Sequence, residues 1–199
     1  MNIGIDIDDT ISNSFETYFP DSQIYDIEKM NGTGKVKDIG KIPSHKYIET
    51  MYEWDEESVY EFWSIYFEKV LKEATVKDHA AEVIKKLKED GNNIYIITAR
   101  YEQEGIDSVR RLTEEWLKNN NIVYDELIMD ADNKLEVAQK YNIDVFIDDS
   151  LVNCKDVSKG NTKVLQYVGI GNVLTEDKDI QKVYSWPQIY NIIGKNNNK

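Results

Sequence analysis

The sequence has little of what several classes of protein require. Its single cysteine, Cys154, cannot close an internal disulfide, which excludes a disulfide-stapled scaffold and points to a reducing compartment. No apolar run approaches the length of a membrane-spanning helix. The first such run is broken by Asp6 after a few residues, so no signal peptide is expected. Only 3 prolines and 10 glycines occur in 199 residues, which excludes collagenous and low-complexity classes. Cations are also scarce. The 24 lysines and arginines face 37 acids, and a net charge of -13 argues against a broad basic face for nucleic-acid polymers. His45 and His79 lie far apart in polar surroundings without metal-ligand spacing, and both read as surface residues. No Gly-rich phosphate loop or Cys-His zinc pattern is present. The chain reads as a soluble cytoplasmic protein with a polar, frayed tail at 195–199.

Apolar and aromatic residues, by contrast, suffice for one sizeable core, at 41% and 11% of the chain. Short β-branched runs that are apolar on both faces occur at Ile3–Ile7, Asn93–Thr98, Glu126–Met129, Asp144–Asp148 and Lys163–Val168, as buried parallel strands require. Between them, helical spacing groups Val83, Ile84 and Leu87 over Ala80–Glu89, Val109, Leu112, Trp116 and Leu117 over Ile106–Lys118, and Leu135, Val137 and Ala138 over Lys134–Tyr141. Strands alternating with helices imply right-handed crossovers and an α/β fold with a doubly wound parallel sheet. One stretch breaks the alternation. Aromatic-rich helical patterns at Ser14–Met30 and Asp55–Lys72 flank a turn-rich segment from Asn31 to Ser44, and no buried strand intervenes. The pattern predicts a core of 1–12 and 76–199, with a small helical cap, 13–75, inserted after the first strand.

The chemistry sits where strands end. Asp6 and Asp8, two apart on the first strand, point to the same side, and buried like charges there need a cation or protons to offset them. The alternative is a turn or helix cap formed by Asp8, Asp9 and Thr10. Ile147-Asp148-Asp149-Ser150 repeats the pattern at a later strand, with the same alternative. If the two strands are neighbours, four or five carboxylates converge on one spot. Thr98, at a third strand end in Ile97-Thr98-Ala99-Arg100, offers a hydroxyl beside free backbone N–H groups that suit a phosphate oxygen, or is a turn residue. Lys134 opens a helix against the macrodipole, which suggests another use, or is a solvated lysine.

These positions resemble, in order and placement, the four motifs of the haloacid dehalogenase-like phosphohydrolase superfamily: Asp6-Ile7-Asp8-Asp9-Thr10, Thr98, Lys134, and Asp148-Asp149-Ser150-Leu151-Val152-Asn153. The resemblance spans residues 1–12 and 76–170. It implies that Asp6 is a nucleophile and Asp8 a general acid–base. It further implies that Mg2+ is held by Asp6, the Asp8 carbonyl and an acid of the fourth motif, Asp149 being favoured over Asp148. Thr98, Ala99 and Lys134 would hold the phosphoryl group. Arg100 touches phosphate or sugar, or is a solvated helix-start residue. Asp9 fills a slot where the family often has glycine. The helical cap and the Ile-Thr-Ala-Arg and Ile-Asp-Asp-Ser runs look most like the 5'(3')-deoxyribonucleotidase-like group, which implies a nucleoside monophosphate as the small phosphorylated substrate. Trp54, Phe62 and Trp63, with Tyr60 and Phe67, either stack on a base or form the cap's own core. Sugar phosphates or other small phosphomonoesters are the alternative on the same chemistry. A phosphoryl-accepting receiver domain combines similar residues, but its acceptor aspartate does not lie on the first strand. Intact Asp6, Asp8, Thr98, Lys134 and Asp149 disfavour an inactive ligand-binding relative.

Overall fold

The computed structural model describes residues 1–44 and 46–194, so His45 and the tail from Lys195 lie outside the described residues. Strands β1 (Asn2–Ile5), β2 (Asn93–Ile97), β3 (Glu126–Ile128), β4 (Val145–Asp148), β5 (Lys163–Tyr167) and β6 (Gln181–Val183) form one sheet, in the order β3-β2-β1-β4-β5-β6. All five pairings are parallel. The helices are α1 (Ser14–Glu28), α2 (Tyr47–Met51), α3 (Glu56–Glu73), α4 (Ala80–Glu89), α5 (Val109–Asn119), α6 (Lys134–Lys140), α7 (Leu151–Ser158) and α8 (Trp186–Gly194). Among the described residues, no helix is long and apolar enough to cross a membrane.

Successive strand residues alternate between two faces, and the sheet is covered on both. Ile3, Ile5, Ile94, Ile96, Val145 and Ile147 pack with α4, α5 and α8. Phe146, Ile97 and Val164 pack with α6 and α7 on the other face. This is the doubly wound arrangement expected from the sequence, with the winding reversed between β1 and β4. Gly4 lies on the second face. A Cβ there would meet Ile97 Cδ1 at 2.9 Å and Phe146 Cδ2 at 3.0 Å, so the neighbouring side chains occupy the space that a larger residue would need.

The segment between β1 and α4 leaves and returns at one place. Ser12 and Val76 form an antiparallel bridge, and Asn13 N donates to Thr75 O at 2.8 Å. Within the segment, α1, α2 and α3 close over a separate aromatic cluster built from Phe15, Tyr18, Tyr25, Tyr47, Tyr52 and Phe62. α3 starts where Asp55 accepts Ser58 N at 2.8 Å, an N-cap that the acidic first turn reinforces.

Several elements differ from the sequence expectation. α5 starts at Val109 rather than Ile106, because Ser108 caps Arg111 N and the Glu102 carboxylate accepts Val109 N at 2.8 Å. α2 was not expected. Nor were β6 and α8, although Pro187 in the first turn of α8 and the Ile189/Ile193 spacing are helix signals.

Gly4→Ala should destabilise the protein by about 1–3 kcal/mol through overpacking. Denaturant unfolding that shows no change in midpoint would contradict this account of the β1–β4 contact.

Candidate active site

Each strand-end residue that the sequence singled out lies at the carboxyl edge of the sheet, around the point where the winding reverses. Such a switch point is where open α/β sheets bind ligands. Beyond Ile5 the ladder runs one step further, with Asp6 N donating to Ile147 O at 3.0 Å. The chain then turns tightly, and the amides of Thr10, Ile11 and Ser12 all point at Ile7 O. β1 therefore ends before Asp6, and the expectation that Asp6 and Asp8 sit on a strand facing one side is corrected. The two carboxylates take different partners.

Asp6 is buried and bonds the ammonium of Lys134, which also donates to Asp148 Oδ2 at 2.7 Å. The lysine at the start of α6 is thus turned into the site, where two carboxylates outweigh the unfavourable macrodipole. Asp148 is saturated: Oδ1 accepts Ser150 N at 2.8 Å, and Asn153 Nδ2 reaches both oxygens at 3.3 and 3.1 Å. The Asp149 carboxylate has a different partner: Tyr47 Oη donates to its Oδ2 at 2.6 Å. Asp6, Asp148 and Asp149 each offer an oxygen, and these atoms all lie within 4.8 Å of one another. An all-oxygen, buried, acidic donor set suits a hard divalent cation.

Asp8 stands apart from that cluster. Arg100 Nε and Nη2 grip it at 2.8 and 2.6 Å, and Ser14 Oγ donates to it at 2.6 Å. Arg100 is itself buried, so it is neither a solvated helix-start residue nor free for a phosphate, as the sequence had left open. Its partner is a carboxylate 92 positions earlier. Asp9 adopts a left-handed backbone, φ 59, which explains why glycine suits that slot. Its carboxylate accepts Phe15 N at 2.7 Å and so caps α1. Thr98 is buried directly after β2, and its Oγ1 accepts Arg100 N at 3.2 Å. Cys154 is buried with its thiol against Asp148 O and serves as a small apolar filler.

A cavity of about 340 Å³ joins these groups. Asp6, Asp8, Thr98, Ala99, Lys134 and Asp149 line its floor, while Tyr18, Tyr47, Trp63 and Phe67 come from the helical segment above. Beside it lies an outer cleft of about 660 Å³ that shares Glu49, Trp63, Tyr101 and Gln103 with it. Of the aromatic selector candidates, Trp63 lines both spaces, and Trp54 lines the outer cleft while stacked on Tyr52. Phe62 has no exposed surface and sits in the aromatic cluster, so of its two readings it takes the core one, and the expectation that it selects substrate is corrected. Tyr60 is exposed and lines the outer cleft. A larger groove around Lys77, His79 and Tyr184 holds none of the strand-end acids. Sequence reading missed Tyr47, which follows a turn and shows no periodic signal, and the role of Arg100 as partner to Asp8.

The charges are not balanced by the chain's own cations. Burial pushes Asp6 up to about 7, with Lys134 opposing and Asp148 and Asp8 adding to the rise. Burial likewise lifts Asp9 to about 8, against the pull of Lys77. Burial, followed by Asp148, Asp9 and Asp6, drives Asp149 well above the carboxylate range. Lys134 is opposed by burial, yet Asp148 and Asp6 hold it above the ordinary lysine value. Asp8 is the exception. Loss of water would raise it, but the Arg100 guanidinium and the Ser14 hydroxyl hold it below its ordinary value.

A carboxyl whose pKa rises on folding stabilises the fold fully below its unfolded value, near 3.8, and loses that contribution as pH climbs through the folded value. In chelator, Tm should therefore fall between about pH 5 and pH 8, as Asp6 and Asp9 release their protons. Added Mg2+ should recover more of it at the upper end than at the lower. A Tm that is flat or rises across that window would contradict this reading of the site.

No protein-family model matches the chain. It is 30% identical over 196 residues to Nucleotidase CA_C3379 of Clostridium acetobutylicum, an alignment covering 98% of this chain and 94% of that protein. Among solved structures, the haloacid dehalogenase-like family hydrolase SP0104 from Streptococcus pneumoniae superposes with a TM-score of 0.66 at 15% identity, covering 96% of this chain and 97% of that one. The HAD-superfamily hydrolase GSU2069 from Geobacter sulfurreducens PCA gives a TM-score of 0.59 at 16% identity, covering 96% and 98%. The two structures share the fold, and the clostridial relative is similar along nearly its whole length. At this identity over nearly its whole length the chain belongs to the family of that clostridial nucleotidase, and its fold, with the four motifs at the carboxyl ends of a sheet of this order, is that of the haloacid dehalogenase-like hydrolases.

Proposed function

We propose that the protein is a magnesium-dependent phosphomonoesterase that works through an aspartyl-phosphate on Asp6, and that its substrate is a nucleoside monophosphate. The observation that carries the chemistry is the convergence of Asp6, Lys134, Asp148 and Asp149 on one buried spot at the sheet's switch point. The nucleotide assignment rests on the name of the clostridial relative and on the aromatic cavity mouth.

Mg2+ would be held by Asp6, Asp149 and the Asp8 carbonyl, where it would offset the charge of the phosphoryl oxygens. Both oxygens of Asp148 are already engaged, which favours Asp149 as the direct ligand and leaves Asp148 to orient Lys134. An Asp6 oxygen attacks phosphorus as the bond to the leaving oxygen breaks, and Asp8 supplies that oxygen with a proton. Water then attacks the phosphoryl group on Asp6. Asp8 takes the water's proton, and the Asp6 carboxylate is released with phosphate. The Arg100 pair keeps Asp8 ionised, as the second half requires. The first half requires a protonated Asp8, and a phosphate anion beside the carboxyl raises its proton affinity. Lys134, the Thr98 hydroxyl and the Ala99 amide would hold the phosphoryl oxygens.

The helical segment 13–75 acts as a cap that excludes water and contacts the leaving group, with Trp63 facing the cavity. Lys134 and Arg100, the cations lining that cavity, are each already paired with aspartate. Glu49, Glu56, Glu102 and Glu104 outnumber Lys46 in the outer cleft. A second phosphate would find no free partner among these described residues, which favours substrates with one phosphate and an uncharged leaving group.

Phosphate release from a panel of nucleoside monophosphates, sugar phosphates, bisphosphates and p-nitrophenyl phosphate tests this reading. The expected result is magnesium-dependent turnover, fastest for nucleoside monophosphates and abolished in Asp6→Asn with folding retained. Turnover in Asp6→Asn would overturn the nucleophile. A preference for sugar phosphates would overturn the leaving group while keeping the mechanism.

A further inference from the structure

We propose that Tyr47 is a positioning residue: its hydroxyl fixes the Asp149 carboxylate for cation binding, and Gly171 is glycine in order to seat its ring. The inference rests on the magnesium reading above and names the residues of the helical segment that would regulate it.

Asp149 is held unequally. Its backbone carbonyl accepts Gln166 Nε2 at 3.1 Å and Asn172 Nδ2 at 2.8 Å, which anchors the main chain after β4. Its carboxylate, among the described residues, has one hydrogen-bonding side chain, Tyr47. Asp148, next to it, is bonded on both oxygens by core groups. The orientation of the favoured cation ligand thus depends on a residue from outside the sheet domain.

The tyrosine is itself fixed from two sides. Its ring packs on Phe15 with centroids 5.2 Å apart. A Cβ added to Gly171 would lie 2.0 Å from Tyr47 Cε1 and 2.8 Å from Cδ1, so any other residue there displaces the ring. The backbone just before Tyr47 is stitched to the core on both sides of Asp149. Val152 N, in the first turn of α7, donates to Pro43 O at 3.0 Å. Ile42 N donates to Gly171 O at 3.0 Å, and Leu174 N to Gly40 O at 2.6 Å. Segment 40–43 is therefore a strap between the helical segment and the loop after β5. Tyr47 transmits the strap's position to a carboxylate in the cation site. Outer partners of metal ligands act in this way by limiting the ligand's rotation.

Mg2+ titration by calorimetry on the full chain tests the proposal, with the wild type, Tyr47→Phe and Gly171→Ala compared. Tyr47→Phe keeps the ring and removes only the hydroxyl. It should bind Mg2+ about tenfold more weakly with an unchanged circular dichroism spectrum, and its turnover should recover as Mg2+ is raised. Gly171→Ala should shift affinity in the same direction by displacing the ring. Tyr47→Phe affinity within twofold of wild type overturns the positioning role, as does a turnover loss that excess Mg2+ leaves in place. No Mg2+ binding by the wild type overturns the magnesium reading itself, and the inference with it.

Discussion

The feature on which the rest of this structure depends is the crowding of carboxylates at the boundary between β1 and β4. Asp6, Asp9, Asp148 and Asp149 are all buried there. Charges of one sign held out of water repel strongly, and a chain cannot hold them together without cations, protons or dense hydrogen bonding. All three remedies are present. Lys134 bridges Asp6 and Asp148, burial raises the proton affinity of Asp6, Asp9 and Asp149, and main-chain amides cap Asp148 and Asp9. On the proposed function, the residual imbalance would make the site a receptor for a divalent cation. The positive pair formed by that cation and Lys134 would in turn receive a phosphate.

The sheet keeps this arrangement in place. Parallel pairing of β1 with both β2 and β4 fixes the spacing of the strand ends, and the side chains filling both faces leave those strands little freedom to shift. Gly4 lets Phe146 and Ile97 close over β1 on the face that also carries Asp148. The helical segment contributes differently. Its aromatic cluster gives it a core of its own, while the Ser12–Val76 bridge and the strap at 40–43 bind it to the sheet domain at two places.

Most of the architecture was legible in the amino-acid sequence because buried parallel strands have a distinctive signature. The apolar runs that became β1, β2 and β4 stop at acidic or polar residues, and those stops mark Asp6, Thr98 and Asp148. β6 was not legible, since three residues carry too little periodicity. The start of α5 was hidden because Glu102 caps it from six residues before Ser108. Long-range pairing also escaped. Nothing local to Arg100 reveals that its partner is Asp8, and nothing local to Tyr47 reveals Asp149, 102 positions away. The stripe on α3 gave its aromatic residues but not their division. Helical geometry turns Phe62 into the cluster and its neighbour Trp63 toward the cavity, and only the packing of α1 against α3 decides between them.

The central claim is that Asp6 carries the phosphoryl group during turnover. It is tested most directly by mixing the enzyme with a nucleoside monophosphate bearing labelled phosphate, quenching in acid within milliseconds, and locating the label by peptide mass spectrometry. The account predicts a base-labile phosphate on the N-terminal peptide at Asp6, formed only with Mg2+ present. Turnover without a covalent intermediate, or a label on any other residue, would contradict it.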